Sequence, residues 1–258
     1  MAKLNDAAAR VQEAQYEFPY HYIPKQSGGK FSSTRHWNWG YRYLGGLHVA
    51  LTQLKKLEPT SVIDIGCGDG RFLREVAAAF PRAKLMGVDA SHRAIQLATA
   101  FNPTITFETQ DITATSLTAG PFDTATLIEV IEHIPPMELP AFLAAVASRI
   151  VPGGHVVVTV PHRNKPLISK HHQHFTAGTL HDVLNPHFTD IELIPFDVDA
   201  RHALTLWMID KILGGKGRWF VFTQQRVLNF LYELYVKQYL YTATERNCER
   251  IAAIAKKR

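Results

Sequence analysis

The sequence predicts an α/β protein built on a doubly wound sheet, and three observations predict it. The first is the stretch Ser61 to Gly70, S-V-I-D-I-G-C-G-D-G, an apolar strand running straight into a loop with glycine at 66, 68 and 70. The second is the helical pattern that follows at once, with Phe72, Leu73, Val76, Ala77 and Phe80 at spacings of three and four. The third is the alternation of strand and helix patterns that continues to residue 198. Strand, glycine loop and helix place a nucleotide-like ligand at the open end of a parallel sheet.

Each element follows in chain order. Residues 1–45 form an aromatic leader, Y-E-F-P-Y-H-Y-I-P, then a loop over Lys25 to Lys30, then R-H-W-N-W-G-Y-R-Y. Such ring density beside a ligand-binding core fits a lid that closes over the site and excludes water, or rings that cap the apolar side of the sheet. The first strand closes on Asp64, an unusual place for a carboxylate unless it faces a cationic or hydrogen-bonding ligand. The glycines behind it allow tight turns and close approach of backbone to ligand, since no Cβ stands in the way. A second strand, Lys84 to Asp89, again ends in an acid, which can accept both hydroxyls of a ribose. Thr104 to Asp111 gives a third strand, Phe122 to Val130 a fourth, Val151 to Pro161 a turn and a fifth, and Ile191 to Val198 a sixth.

Residues 199–249 are too long for an ordinary connection and read as a helical insertion. Trp207 to Leu213 is apolar, G-G-K-G-R breaks it, and Trp219 to Tyr241 reads as an amphipathic helix region. Val227, Leu228, Leu231, Leu234, Tyr235 and Leu240 form its stripe. That stripe fits a core or a homodimer interface; W-F-V-F beside Lys211, Lys216 and Arg218 fits a membrane-surface contact through 207–241.

Composition agrees with a protein able to bury one sizeable core: 258 residues, 46% hydrophobic and 20% charged. The start lacks the apolar h-region of a signal peptide, and no apolar run approaches the roughly 18 residues of a spanning helix. Two cysteines, Cys67 and Cys248, offer neither a disulfide framework nor zinc spacing. The expected location is the cytoplasm, free or peripheral at the inner face of a membrane. A net charge of +5 permits an anionic partner. Lysine and arginine are not gathered into one strong patch, which counts against a nucleic-acid partner.

These motifs, in this order, resemble the class I S-adenosylmethionine-dependent methyltransferases; G-C-G-D-G does not fit the G-x-G-x-x-G of dehydrogenases. The resemblance implies a Rossmann-like seven-stranded sheet, mostly parallel, with Arg250 to Lys256 as an antiparallel last strand and the insertion lying between strands six and seven. It implies a leader over 1–45, a core over 46–198, the insertion over 199–249 and the last core strand over 250–258. It implies an S-adenosylmethionine site: Asp64, Gly66, Cys67, Gly68 and Gly70 around the methionine part, Asp89 and Ala90 at the ribose, Asp111 and Ile112 at the adenine edge. In that family the segment before the first strand often lies over the cofactor, which makes His36, Trp39 and Tyr43 the leader residues expected at the substrate.

After the fourth strand the chain reads E-V-I-E-H-I-P, and positions i, i+3 and i+4 of a helical turn share a face, so Glu129, Glu132 and His133 are expected to converge as the catalytic group. After the fifth comes K-H-H-Q-H-F-T, with His171, His172 and His174. An E-x-x-E-H segment resembles two methyltransferase groups that use it for a divalent metal: the O-methyltransferases of ubiquinone biosynthesis, and the enzymes that methylate the terminal 2′-hydroxyl of small RNAs. That resemblance implies Mg, Mn, Co, Fe or Zn on Glu129, Glu132, His133 and His174, with His171 on the substrate side. The alternative is metal-free, with His133 as general base. The expected activity is O-methylation of a hydroxyl on a small or lipid-linked molecule, against an RNA 2′-O-methyltransferase or a non-catalytic cofactor-binding subunit; the intact glycine loop and Asp89 speak against the last.

Overall fold

A computed structural model describes residues 25–27, 30–32, 37–113, 120–199, 201, 203–205, 207–208 and 225–258. His36 and the leader rings from Tyr16 to Tyr22 lie outside the described residues, as does the segment 209–224.

A short antiparallel pair, β1 (Lys25–Ser27) and β2 (Lys30–Ser32), precedes helix α1 (Trp37–Leu57). The division drawn at residue 45 falls inside this single helix. Then come β3 (Ser61–Ile65), α2 (Arg71–Ala79), β4 (Lys84–Asp89) and α3 (His92–Phe101), the last capped by the Ser91 side chain accepting from the Ala94 N–H at 3.1 Å. β5 (Thr106–Thr109) is shorter than the sequence predicts, so Asp111 lies beyond the strand rather than at its end. β6 (Phe122–Ile128), α4 (Leu139–Ser148), β7 (Ile150–Pro161), α5 (Ala177–Leu184) and β8 (Phe188–Val198) continue the alternation. In the insertion, α6 (Gln225–Tyr235) widens into a π turn over Val236–Leu240, and β9 (Cys248–Lys257) closes the fold.

The seven strands run β5-β4-β3-β6-β7-β9-β8 across one sheet. Neighbours from β5 to β7 are parallel, while β9 is antiparallel to both β7 and β8. Because both faces are covered, the inner strands are near-continuous Val, Ile and Ala runs. One face packs Ile63, Met86, Leu127 and Val158 against Phe142, Leu143 and Val146 of α4 and Leu180 of α5. The other packs Val62 and Val157 against Leu47, Ala50 and Leu54 of α1 and Phe72, Leu73 and Val76 of α2.

The predicted stripe holds at Tyr235 and Leu240, which are buried, and not at Val227, which is exposed. The insertion's inward side is Tyr232, Tyr235, Val236, Tyr239 and Leu240, packed with Tyr41 of α1 and Phe196 of β8. Val227 is exposed together with Phe230. Among the described residues, no helix is long and apolar enough to cross a membrane.

Candidate active site

The glycine loop is built by backbone conformation. Gly66, Gly68 and Gly70 have φ of 74°, 55° and 76°, the left-handed region where a Cβ is penalised. A Cβ on Gly66 would also stand 2.7 Å from Val130 Cγ2. The N–H groups of Gly66 and Cys67 both donate to the Val88 carbonyl, at 2.8 and 3.1 Å, which folds the loop across the end of β4. There Asp89 receives the Gly68 N–H on Oδ2 at 2.9 Å and the Ser91 N–H on Oδ1 at 2.8 Å. Ala90 beside it is exposed.

Asp64 is buried and accepts from the Thr126 hydroxyl at 2.6 Å. Burial pushes its carboxyl up to about 7; the Thr126 bond works against that shift, and the nearby Asp89 charge adds to it. Thr126 is a partner the sequence reading missed, although T-A-T in a central strand is its signal. Cys67 is buried and its thiol is pushed well up, chiefly by burial. Asp111 is exposed, with Oδ1 taken by the Thr113 N–H and hydroxyl at 2.9 and 2.7 Å, while Ile112 is buried in the core.

The catalytic candidates converge, but not on one helical face. Glu129 stands at φ 56°, outside the turn, and its N–H donates to the Thr159 carbonyl at 2.9 Å. Only Ile131–His133 forms a turn, of 3-10 type. The expected i, i+3, i+4 face is therefore replaced by a left-handed break followed by a tight turn, the kind of strained backbone that collects at functional sites. Glu132 is fully buried, and among the described residues neither of its oxygens has a hydrogen-bond partner. Burial and then the Glu129 charge push its carboxyl well up.

The loop after β7 brings the histidines. His133 donates from Nδ1 to the Lys170 carbonyl at 2.9 Å, leaving Nε2 as an acceptor 3.8 Å from Glu132 Oε1. The His172 N–H donates to the Glu132 carbonyl at 2.8 Å, pinning the loop to the turn. His171 packs edge-on against His133, with ring centroids 4.7 Å apart. Ligating atoms of Glu132, His133 and His171 lie within 4.8 Å of one another. The expected fourth residue, His174, sits one step behind: it donates from Nδ1 to the Lys165 carbonyl at 3.0 Å, so its Nε2 accepts from His171 Nδ1 at 2.7 Å. Burial holds His133 down at about 4 and His171 at about 3, and lowers His174 as well. All three imidazoles are neutral near pH 7.

On the substrate side, Tyr43 is partly buried against the α1 face of the core, and Trp39 lies on the first turn of α1. The sequence reading also missed Arg42, Asp197 and Arg250, a buried ionic group beside this site. Its one local signal is a lone arginine in the otherwise apolar run R-I-A-A-I-A.

A family model described as a methyltransferase domain matches residues 36–202. A ubiquinone biosynthesis O-methyltransferase from Ralstonia nicotianae is 33% identical over 108 residues, which are 40% of this chain and 44% of that protein. The match thus spans less than half the length of that curated relative. Among solved structures, the N-methyltransferase NodS from Bradyrhizobium japonicum in complex with S-adenosyl-L-homocysteine is similar over 98% of this chain and 99% of that one, at 15% identity and a TM-score of 0.61. A SAM-dependent methyltransferase from Archaeoglobus fulgidus is similar over 86% and 99%, at 20% identity and a TM-score of 0.56. At these identities the likeness is one of fold.

Proposed function

This chain belongs to the methyltransferase domain family, and on that premise we propose that it is an S-adenosylmethionine-dependent methyltransferase that methylates a hydroxyl of a small or lipid-linked molecule, assisted by a divalent metal. The left-handed glycine loop and the Asp89 carboxylate fit the cofactor, which when bound supplies the electrophilic methyl group. Asp64, Gly66, Cys67, Gly68 and Gly70 would line its methionine part, Asp89 and Ala90 its ribose, Asp111 and Ile112 its adenine edge.

The observation that carries the hydroxyl reading is the Glu132 carboxyl, fully buried, without a hydrogen bond, and beside neutral imidazoles. A buried carboxyl left this way either keeps its proton or pairs with a cation. Glu129, Glu132, His133 and His171 would hold that cation, with His174 fixing the tautomer of His171 from behind. Such a cation supplies positive charge next to an acceptor oxygen and eases its deprotonation. The competing reading, His133 as general base, is disfavoured by its pKa near 4, since a useful base titrates near the working pH. A ligand imidazole has to be neutral, and this one is.

The loop that carries His171 also exposes Leu167 and Ile168, and Met137 after the glutamate turn is 92% exposed. These apolar side chains beside the cluster support an acceptor with an apolar portion. Trp207, Met208 and Phe230, all exposed, support a membrane-surface contact through the insertion.

The test is a paired titration of chelator-stripped protein with S-adenosylhomocysteine and with Mn²⁺, Mg²⁺, Co²⁺ and Zn²⁺, followed by labelled-methyl transfer to a panel of catechols and vicinal diols. We expect metal binding that is lost in Glu132→Ala, with transfer abolished and cofactor affinity held within a few fold. Transfer that survives chelation unchanged would sink the metal; loss of cofactor binding in Glu132→Ala would sink the placement of that residue.

A further inference from the structure

The loop that carries the histidines is closed at its base. The Arg163 N–H donates to the Phe175 carbonyl at 2.9 Å, and the Phe175 N–H donates to the Pro161 carbonyl at 3.1 Å. Residues 162–165 turn at that base, with the Lys165 N–H donating to the His162 carbonyl at 3.0 Å. The Lys165 carbonyl leaves the turn and accepts from His174 Nδ1 at 3.0 Å.

That one oxygen has a chemical effect two rings away. A carbonyl only accepts, so His174 carries its proton on Nδ1 and offers Nε2 as an acceptor. His171 then donates from Nδ1 at 2.7 Å and keeps a bare lone pair on Nε2. The other tautomer of His174 would set a ring lone pair against the carbonyl. The Lys165 carbonyl thus decides which nitrogen of His171 is left bare, in the ring grouped with Glu132 and His133.

The turn is mounted by a side chain with no part in the scheme so far. Asn164 Nδ2 donates to the Glu245 and Cys248 carbonyls, at 2.9 Å each. Those carbonyls belong to the turn that ends the insertion and opens β9, itself closed by Asn247 Oδ1 accepting from the Thr244 N–H at 2.7 Å. The His162 N–H adds a bond to the Glu249 carbonyl at 2.8 Å, and the Asn164 N–H donates to His162 Nδ1 at 3.1 Å. Both hydrogens of the amide are spent on two fixed carbonyls, and a carboxylate of the same shape would set oxygens against them.

We propose that Asn164 is a positioning residue for the histidine pair: by docking the 162–165 turn on the end of the insertion it places the Lys165 carbonyl, and so fixes the tautomers of His174 and His171. This rests on the reading that His171 belongs to the metal site.

The test reads the tautomers directly, from the nitrogen-15 resonances of the imidazoles in chelator-stripped protein near neutral pH, assigned with His171→Gln and His174→Gln. In wild type both rings are expected to be protonated at Nδ1 and bare at Nε2. In Asn164→Asp, with a cooperative urea transition as the check on folding, both rings should move to a mixture of tautomers. Mn²⁺ affinity should fall about ten-fold or more, as for other groups behind a metal ligand. Arg201→Met, which removes the exposed guanidinium bonded to the Asn164 carbonyl at 3.1 Å, should leave both readouts as in wild type. Unchanged tautomers in folded Asn164→Asp, or an equal change in Arg201→Met, would reduce Asn164 to a structural role and overturn the proposal. Should Asn164→Asp fail to fold, Asn164→Ser, uncharged and lacking both amide donors, carries the same comparison. A wild type that shows the expected tautomers and binds no Mn²⁺ would sink the metal reading alone, since the tautomer shift still reports on Asn164.

Discussion

Asp64 puts a buried carboxyl beside the glycine loop, and its pH behaviour follows from that. Its folded-state pKa of about 7 lies above the ordinary 3.8. Between those values the folded chain keeps a proton that the unfolded chain releases, so stability from this group falls as pH rises through the window and is level above it. We therefore predict that ligand-free wild type loses stability relative to Asp64→Asn from pH 3.8 to about 7, read by urea unfolding in steps across the window. A difference that does not vary with pH would show that Asp64 ionises as an exposed acid does. The glycines, Asp64 and Asp89 were legible in the sequence because their chemistry is local: each stands at a strand end beside the loop it serves. The choice of His171 over His174 for the inner position was not. It depends on which imidazole the loop turns inward, and that is set by the Lys165 and Lys170 carbonyls, groups that every residue possesses.

At the scale of elements, α1 carries glycines where a 21-residue helix gains nothing from them. Contacts explain two of the three. A Cβ at Gly45 would sit 2.7 Å from Tyr235 Oη and 2.9 Å from its ring, and one at Gly46 would strike Arg250, whereas at Gly40 it would meet nothing within 4 Å among the described residues. We predict opposite signs for the same substitution on one helix. Gly40→Ala should stabilise by about 0.5–1 kcal/mol and Gly45→Ala should destabilise by about 1–3 kcal/mol, compared by urea midpoint. The strands were legible almost to the residue at β3 and β4, where apolar runs are bounded by Thr60, Gly66 and Ala90. The turn at Glu129–His133 was legible in composition and wrong in geometry. Helical spacing fails there because Glu129 still bonds to β7 through its N–H and takes φ 56° before the turn begins at Ile131.

Over the whole molecule, one ionic group ties together α1, α6, β8 and β9 through Arg42, Tyr235, Asp197 and Arg250. Its members lie far apart in the chain, so beyond the arginine that heads the apolar run of β9 no local pattern announces them, and only the strand order brings them together. That order also predicts how a shortened chain behaves. β9 bonds to β7 along one edge and to β8 along the other, and removing residues 248–258 would leave both edges bare. We expect such a chain to lose its cooperative unfolding transition and to be recovered as aggregate; a sharp, wild-type-like transition would show that β9, and with it the attachment of β8, can be dispensed with.

The placement of β9 has a consequence for assembly during synthesis. β3, β4, β6 and β7 are joined by short crossovers and can pair as they emerge, whereas β8 must wait beside an open slot until the strand that belongs in it has been made. That late strand carries Arg250, so the gap in the sheet and the buried ion pair with Asp197 are filled by one insertion event.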